Sequence, residues 1–257
     1  MYLVIGPAAM GIYSFIGSLS LIDLNKVEEV SGSSAGAILG FFICLGKTHE
    51  EIREFCLNLN LTELSKMSIT TFITKFGLIS HEPIKKKFKE FCGGDPTFSD
   101  LPKKLYVTSF CVNKFETEYF SADTSPYMSV IDAVCMSISV PFLFESIKYN
   151  KFTYLDGGTF ENVPSLAFLN KDPKDVLVLS LEINKKHLPE IKTIRDFINS
   201  VIHVAVNNRI SCNTQYKEVR FDIGDVNIFD FSMSDDDKLK LYFLGYQIAL
   251  TQLGLDK

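Results

Sequence analysis

The sequence predicts an α/β layer fold built on a mostly parallel sheet, and three observations carry this expectation. Short apolar runs of strand length recur at 2–5 (YLVI), 104–112 (KLYVTSFCV) and 175–183 (DVLVLSLEI). Helical patterns lie between and beyond them, at 35–47, 127–138 and 189–207, and strands alternating with helices are the mark of parallel β-α units. No repeat or low-complexity linker divides the chain, so its 257 residues are expected to form one domain, 1–257, with a sizeable core.

In order, YLVI, GPAAMG and IYSFIGSLSLID read as strand, loop and helix, with Ile12, Phe15, Ile16, Leu19 and Ile22 on one helical face. Residues 1–22 carry no charge, yet Gly6-Pro7 interrupts the apolar run and no basic residue precedes Lys26. Neither a membrane span nor a signal peptide is therefore expected, and the expected location is cytoplasmic. KVEEVS at 26–31 reads as a short strand. The segment 48–100 is helical and more polar. Within it, Lys85, Lys86, Lys87 and Lys89 make either a solvated helix face or a patch for anionic headgroups. Its neighbour MSITTFITKFGLI supplies apolar residues for acyl chains, so the 60–80 region is the expected membrane-facing element. The last pattern, DDDKLKLYFLGYQIALTQLG, opens on aspartates that suit a helix N-terminus and stops at Gly254.

A net charge of −5 argues against nucleic acid as the main partner. The six cysteines, Cys44, Cys56, Cys92, Cys111, Cys135 and Cys212, are scattered among apolar residues without zinc-type spacing and read as buried thiols. No metal or other cofactor is expected.

The chemistry concentrates in VSGSSAGAILGFFI. Gly32-x-Ser34-x-Gly36 has the spacing of a nucleophile elbow, a tight strand-to-helix turn that exposes a serine hydroxyl. Side chains at Gly32 and Gly36 would collide across such a turn. Ser34 at the start of helix 35–47 also aims amide groups and the helix dipole at developing negative charge. Two bases suit such a serine. The α/β-hydrolase order of Ser, Asp, His is met formally by Ser34, Asp156 and either His187 or His203, though the elbow comes early for that fold. Alternatively, Asp156 itself is the base, at the end of an alternating strand in FTYLDGGTFENVP, where Gly157-Gly158 turn the chain sharply.

Together, GPAAMG at 6–11, GSSAG at 32–36 and DGG at 156–158 resemble the motifs of the patatin-like phospholipase family. DAVCMSISVPFLFES at 132–146 and the extension of the last motif through Asn162 and Pro164 are similar to the family as well. The resemblance implies a three-layer α/β/α fold and hydrolysis of acyl esters in phospholipids or related lipids, at a peripheral membrane surface. It also implies a Ser34–Asp156 dyad, with Ser34 as nucleophile and Asp156 as general base, without a catalytic histidine or metal. The amides of Ala8 and Ala9, with Ala35, would form the oxyanion hole, Gly6 and Gly11 would shape its loop, and Asn162 and Pro164 would shape the Asp loop. One departure stands out: Pro7 has no N–H and Met10 replaces a basic residue. A silent lipid-binding homologue and an acyltransferase are the alternative readings.

Overall fold

A computed structural model describes residues 1–182, 190–207 and 215–256. The chain runs through β1 (Tyr2–Ile5), α1 (Ile12–Leu19), β2 (Glu29–Ser33), α2 (Ala35–Cys44), α3 (His49–Asn58), α4 (Leu61–Leu64) and α5 (Ile69–Lys75). It continues through β3 (Gly77–Ile79), α6 (Glu82–Cys92), β4 (Lys104–Cys111), β5 (Glu116–Phe120), α7 (Val130–Ser137) and β6 (Phe142–Phe144). The remainder comprises β7 (Ile147–Tyr149), β8 (Phe152–Asp156), β9 (Val176–Glu182), α8 (Ile194–Asn207), β10 (Lys217–Asp222) and α9 (Asp235–Leu253).

The main sheet runs β10-β9-β1-β2-β4-β8-β7, with β5 paired to β4 off this path. Its left part is parallel: β1 lies between β9 and β2, and β4 follows β2 in parallel register. β5, β7 and β8 are antiparallel additions. The expected α/β fold with a mostly parallel sheet is thus present, flanked by helices. Alternation along the strands divides the apolar residues between two faces. Leu3, Ile5, Leu177 and Leu179 join the large core with Phe15, Phe41 and Phe42 of α1 and α2. Val4, Val176 and Val178 join a second cluster with Val163, Phe168 and Tyr216.

Several expected boundaries shift. The helix expected over 12–22 ends at Leu19, where the chain turns and the Leu21 amide donates to the Ser18 carbonyl at 3.0 Å. The strand expected at 26–31 begins later and runs into the elbow at Ser33. The segment 48–100 carries α3, α4, α5 and α6 joined by short loops, together with β3, whose three residues pair with β6 from much later in the chain. The lysine cluster is not a bare positive face. Lys85 pairs with Asp132, Lys87 with Glu90 and Lys89 with Asp95, at 2.8, 3.0 and 2.8 Å. Cys44, Cys56, Cys111 and Cys135 are buried free thiols and Cys92 is half-buried, whereas Cys212 lies outside the described residues. Among the described residues no helix is long and apolar enough to cross a membrane.

Candidate active site

Parallel strands β1 and β2 end side by side, Ile5 opposite Gly32, and the chain turns from β2 into α2 through Ser34. Ser34 holds φ 53° and ψ −125°, a conformation that costs a non-glycine residue about 1–3 kcal/mol. Its neighbours explain the spacing of the motif. A Cβ on Gly36 would lie 2.2 Å from the Ile5 carbonyl oxygen, and one on Gly32 would lie 2.5 Å from that of Gly36. Strand and helix meet too closely for any side chain there. The Ser34 amide donates to Ser137 Oγ of α7 at 2.8 Å, which pins the strained turn. Ser34 itself is 6% exposed.

Asp156 closes β8 opposite Ser109 of β4 and is 3% exposed. Its amide donates to the Ser139 carbonyl at 2.9 Å, and Thr159 Oγ1 donates to Asp156 Oδ1 at 3.4 Å. The loop that follows is fastened to the sheet. Gly157 lies on the Thr108 carbonyl, the half-buried Asn162 sets its carbonyl against Gly6, and Pro164 accepts Ser31 Oγ at 2.6 Å. Glu161 of this loop is buried, with the Tyr119 hydroxyl donating to it at 2.7 Å. Burial raises the Glu161 carboxyl above the usual range, against the lowering effect of that hydroxyl.

Ser34 and Asp156 line one cleft, together with Pro7, Ala8, Ala9, Val140 and Thr159. In the loop 6–11, the Gly6 amide donates to Leu179, the Met10 amide to Ile228 and the Gly11 amide to Ala8, at 2.9, 2.9 and 2.8 Å. None of the described residues accepts a hydrogen bond from the amides of Ala8, Ala9 or Ala35; Ala8 and Ala9 line the cleft with Ser34, and Ala35 follows Ser34 and lines the apolar pocket. Met10 is buried, and its side chain forms part of an apolar pocket rather than meeting charge. A basic residue there would need a partner that the pocket does not offer. Pro7 packs on Gly158 of the Asp loop.

That apolar pocket reaches Ser34 as well and shares Ala9, Val140 and Phe229 with the cleft. Ile38, Phe55, Ile84, Phe88, Phe144 and Phe231 are among its walls, around a cavity of about 100 Å³. A lining of this kind suits an apolar ligand.

Three residues without an assigned role in the sequence reading belong to the surroundings of the site. Ser137 and Ser139, inside the SISVP run, hold Ser34 and Asp156 by their amides. His81 is fully buried, stacked on Phe144, with Nε2 at 3.0 Å from Ser139 Oγ and 3.1 Å from the Glu145 carbonyl. Ser139 Oγ already donates to Cys135 O, so both contacts place the proton on Nε2. Burial pushes the His81 imidazole down to about 4, although Glu145 beside it pulls the other way. Glu145 is buried too, and burial alone would raise it; the Lys75 ammonium at 2.8 Å and the His81 amide outweigh this and hold its carboxyl below the usual range. The SISVP serines left a trace in the sequence through their place in the family-like stretch, and His81 through the weaker family likeness of GLISHEPI. His203 falls within α8, and His187 lies outside the described residues. Among the described residues no group of three His, Cys, Asp or Glu side chains could hold a metal ion.

A strained serine at a strand-to-helix elbow and a buried aspartate line the same cleft, and an apolar pocket opens at the serine. The profile of the patatin-like phospholipase family matches residues 3–169, and the chain belongs to that family. Lipid hydrolysis is the activity that this membership supports. The chain is 31% identical to probable lipid hydrolase 463L of Invertebrate iridescent virus 6, over 66% of this chain and 64% of that one. It is 24% identical to protein R571 of Acanthamoeba polyphaga mimivirus, over 95% of this chain and 91% of the other. Among solved structures, VipD from Legionella pneumophila superposes with a TM-score of 0.69 at 16% identity, over 98% of this chain and 66% of VipD. ExoU, from Pseudomonas aeruginosa, superposes with a TM-score of 0.55 at 16% identity, over 99% of this chain and 52% of ExoU. The chain therefore spans just under two thirds of one and about half of the other, and these two likenesses concern the fold.

Proposed function

We propose that the chain hydrolyses fatty-acyl esters of phospholipids or related lipids, with Ser34 as nucleophile and Asp156 as general base. The observation that carries this reading is the shared cleft: Ser34 and Asp156 line it together, beside amides of Ala8 and Ala9 to which no described residue is bonded. Ser34 Oγ attacks the ester carbonyl carbon while its proton passes to Asp156. The carbonyl oxygen takes the negative charge and accepts from the Ala8, Ala9 and Ala35 amides. Collapse expels the lysolipid or other alcohol, protonated by Asp156, and leaves the acyl group on Ser34. Water then attacks the acyl-enzyme, giving its proton to Asp156; the fatty acid leaves and Ser34 Oγ regains a proton. The acyl chain occupies the apolar pocket throughout.

Pro7 removes one amide from the loop, but two consecutive amides follow it. Each such donor is worth on the order of a hundredfold to a thousandfold in rate. Treatment with a fluorophosphonate tests the nucleophile without choosing a lipid. Covalent labelling that maps to Ser34 and disappears in Ser34→Ala supports the reading. An unlabelled wild-type protein favours the silent lipid-binding alternative.

A further inference from the structure

The stretch SKMSITTFITKFGLIS, 65–80, contains Lys66 and Lys75 and no carboxylate. Its helix α5 is capped by Ser68, which accepts the Thr71 amide at 3.2 Å, yet none of its residues is buried. Ile69 is 75% exposed, Ile73 71%, and the flanking Met67 and Phe76 57% and 59%. So short a helix is not stable alone in water, and helices of this kind are normally fixed by packing an apolar face. Here α5 is instead held from its ends. The Ser68 amide donates to Leu78 at 2.7 Å, the Lys75 carbonyl accepts from the Ser146 amide at 2.9 Å, and the Lys75 ammonium meets Glu145.

These side chains form one patch. β3 pairs with β6 so that Gly77 faces Phe142, which sets the 41% exposed Phe142 beside Phe76. Both phenylalanines have left-handed backbone, φ 62° and 67°, which bulky residues rarely adopt. The patch also leads inward. Met67 and Ile69 line a hollow with Phe229 and Phe231, and those two phenylalanines also line the apolar pocket at Ser34. Contiguous exposed apolar surface of this kind marks an interaction site.

We propose that α5, with Met67, Phe76 and Phe142, seats on the surface of a phospholipid bilayer and admits an acyl chain past Phe229 and Phe231 toward Ser34. The proposal rests on the lipid-hydrolase reading above. Two features support a bilayer as the occupant: the continuity of the patch with the pocket that takes the acyl chain, and the lack of carboxylates over 65–80, the Asp230 carboxyl of the hollow being engaged by the Ser232 amide and hydroxyl. Apolar insertion drives this docking, because three of the four lysines of the 85–89 cluster are already paired with Asp132, Glu90 and Asp95.

The test is co-sedimentation with vesicles of phosphatidylcholine and phosphatidylserine, read as binding without regard to turnover. Wild type is expected to sediment with the vesicles. Ile69→Ser/Ile73→Ser is expected to bind at least about tenfold more weakly, with an unchanged thermal midpoint because both side chains are already in water. Lys85→Ala/Lys87→Ala/Lys89→Ala is expected to bind like wild type. Undiminished binding by the isoleucine variant overturns the proposal, as does loss of binding in the lysine variant. A wild type that self-associates through α5 and ignores vesicles also overturns it, in favour of a second copy as occupant. Binding through α5 without fatty-acid release overturns the hydrolase reading and leaves the docking face standing. Release that does not depend on α5 overturns the docking face alone.

Discussion

Pro7 lies so close to Gly158 that a Cβ on the glycine would sit 2.2 Å from the Cβ of the proline. The loop that carries the Ala8 and Ala9 amides and the loop that carries Asp156 are thereby interlocked. The residue that departs from the family motif is thus a packing element of the site, and Gly158 is small because Pro7 is there.

Gly158→Ala forces the two loops apart. We expect a loss of at least about a hundredfold in kcat, the scale of one misplaced oxyanion donor, with a folded protein by circular dichroism. Adding Pro7→Gly removes the opposing ring, so the double variant should recover part of the lost rate. A steady-state comparison of the two variants on one ester checks this.

Ser137→Ala removes the acceptor of the Ser34 amide. A buried N–H left without a partner costs about 1–3 kcal/mol, and here the turn it holds is already strained. For a chain of this size that corresponds to a fall in Tm of roughly 2–6 °C. The rate should fall with it, because the elbow can relax away from φ 53°. Calorimetry alongside ester hydrolysis separates the two effects.

His81 makes stability depend on pH. Unfolded, an imidazole titrates near 6.5, whereas folded His81 is pushed by burial down to about 4. Between those values the unfolded chain holds more protons, so stability is full above about pH 6.5 and falls as pH drops toward 4, by roughly 3 kcal/mol. Glu145, Lys75 and Lys85 face the same group. The Glu145 carboxyl, held below its usual range, adds its own loss at more acid pH. Urea unfolding across pH 4–7 should show this slope in wild type and a flatter one in His81→Gln.

Ile38 is half-buried on α2 and lines the apolar pocket. Ile38→Trp fills space that a long acyl chain needs. Its kcat/KM on long-chain esters should fall at least about tenfold, from the transfer free energy of the displaced methylenes, while short-chain esters keep most of their rate. A series of esters of increasing chain length measures the ratio.

What was legible in the sequence was local. The Gly32-x-Ser34-x-Gly36 spacing encodes contacts made within five residues and across one strand, and Asp156 sits where an alternating strand meets two glycines. The strands at 2–5 and 175–183 announced themselves as apolar runs because both of their faces are covered. Long-range pairing left no such signal. β3 and β6 are three residues each and exist by pairing with one another. Lys85 and Lys89 looked free because Asp132 and Asp95 come to them from other segments. Ser137 ends α7 and Ser139 follows it, and their importance lies in whose amides they meet: the Ser137 hydroxyl accepts from Ser34 and the Ser139 carbonyl from Asp156. His81 is fixed by Ser139 and Glu145, both far along the chain, so its burial could not be read from GLISHEPI.

The most direct measurement is fatty-acid release from mixed phospholipid vesicles by wild type, Ser34→Ala and Asp156→Asn, each shown to be folded. Wild type is expected to release fatty acid, and both variants to lose this activity by at least about a thousandfold. Release that survives in either variant would contradict a Ser34–Asp156 mechanism.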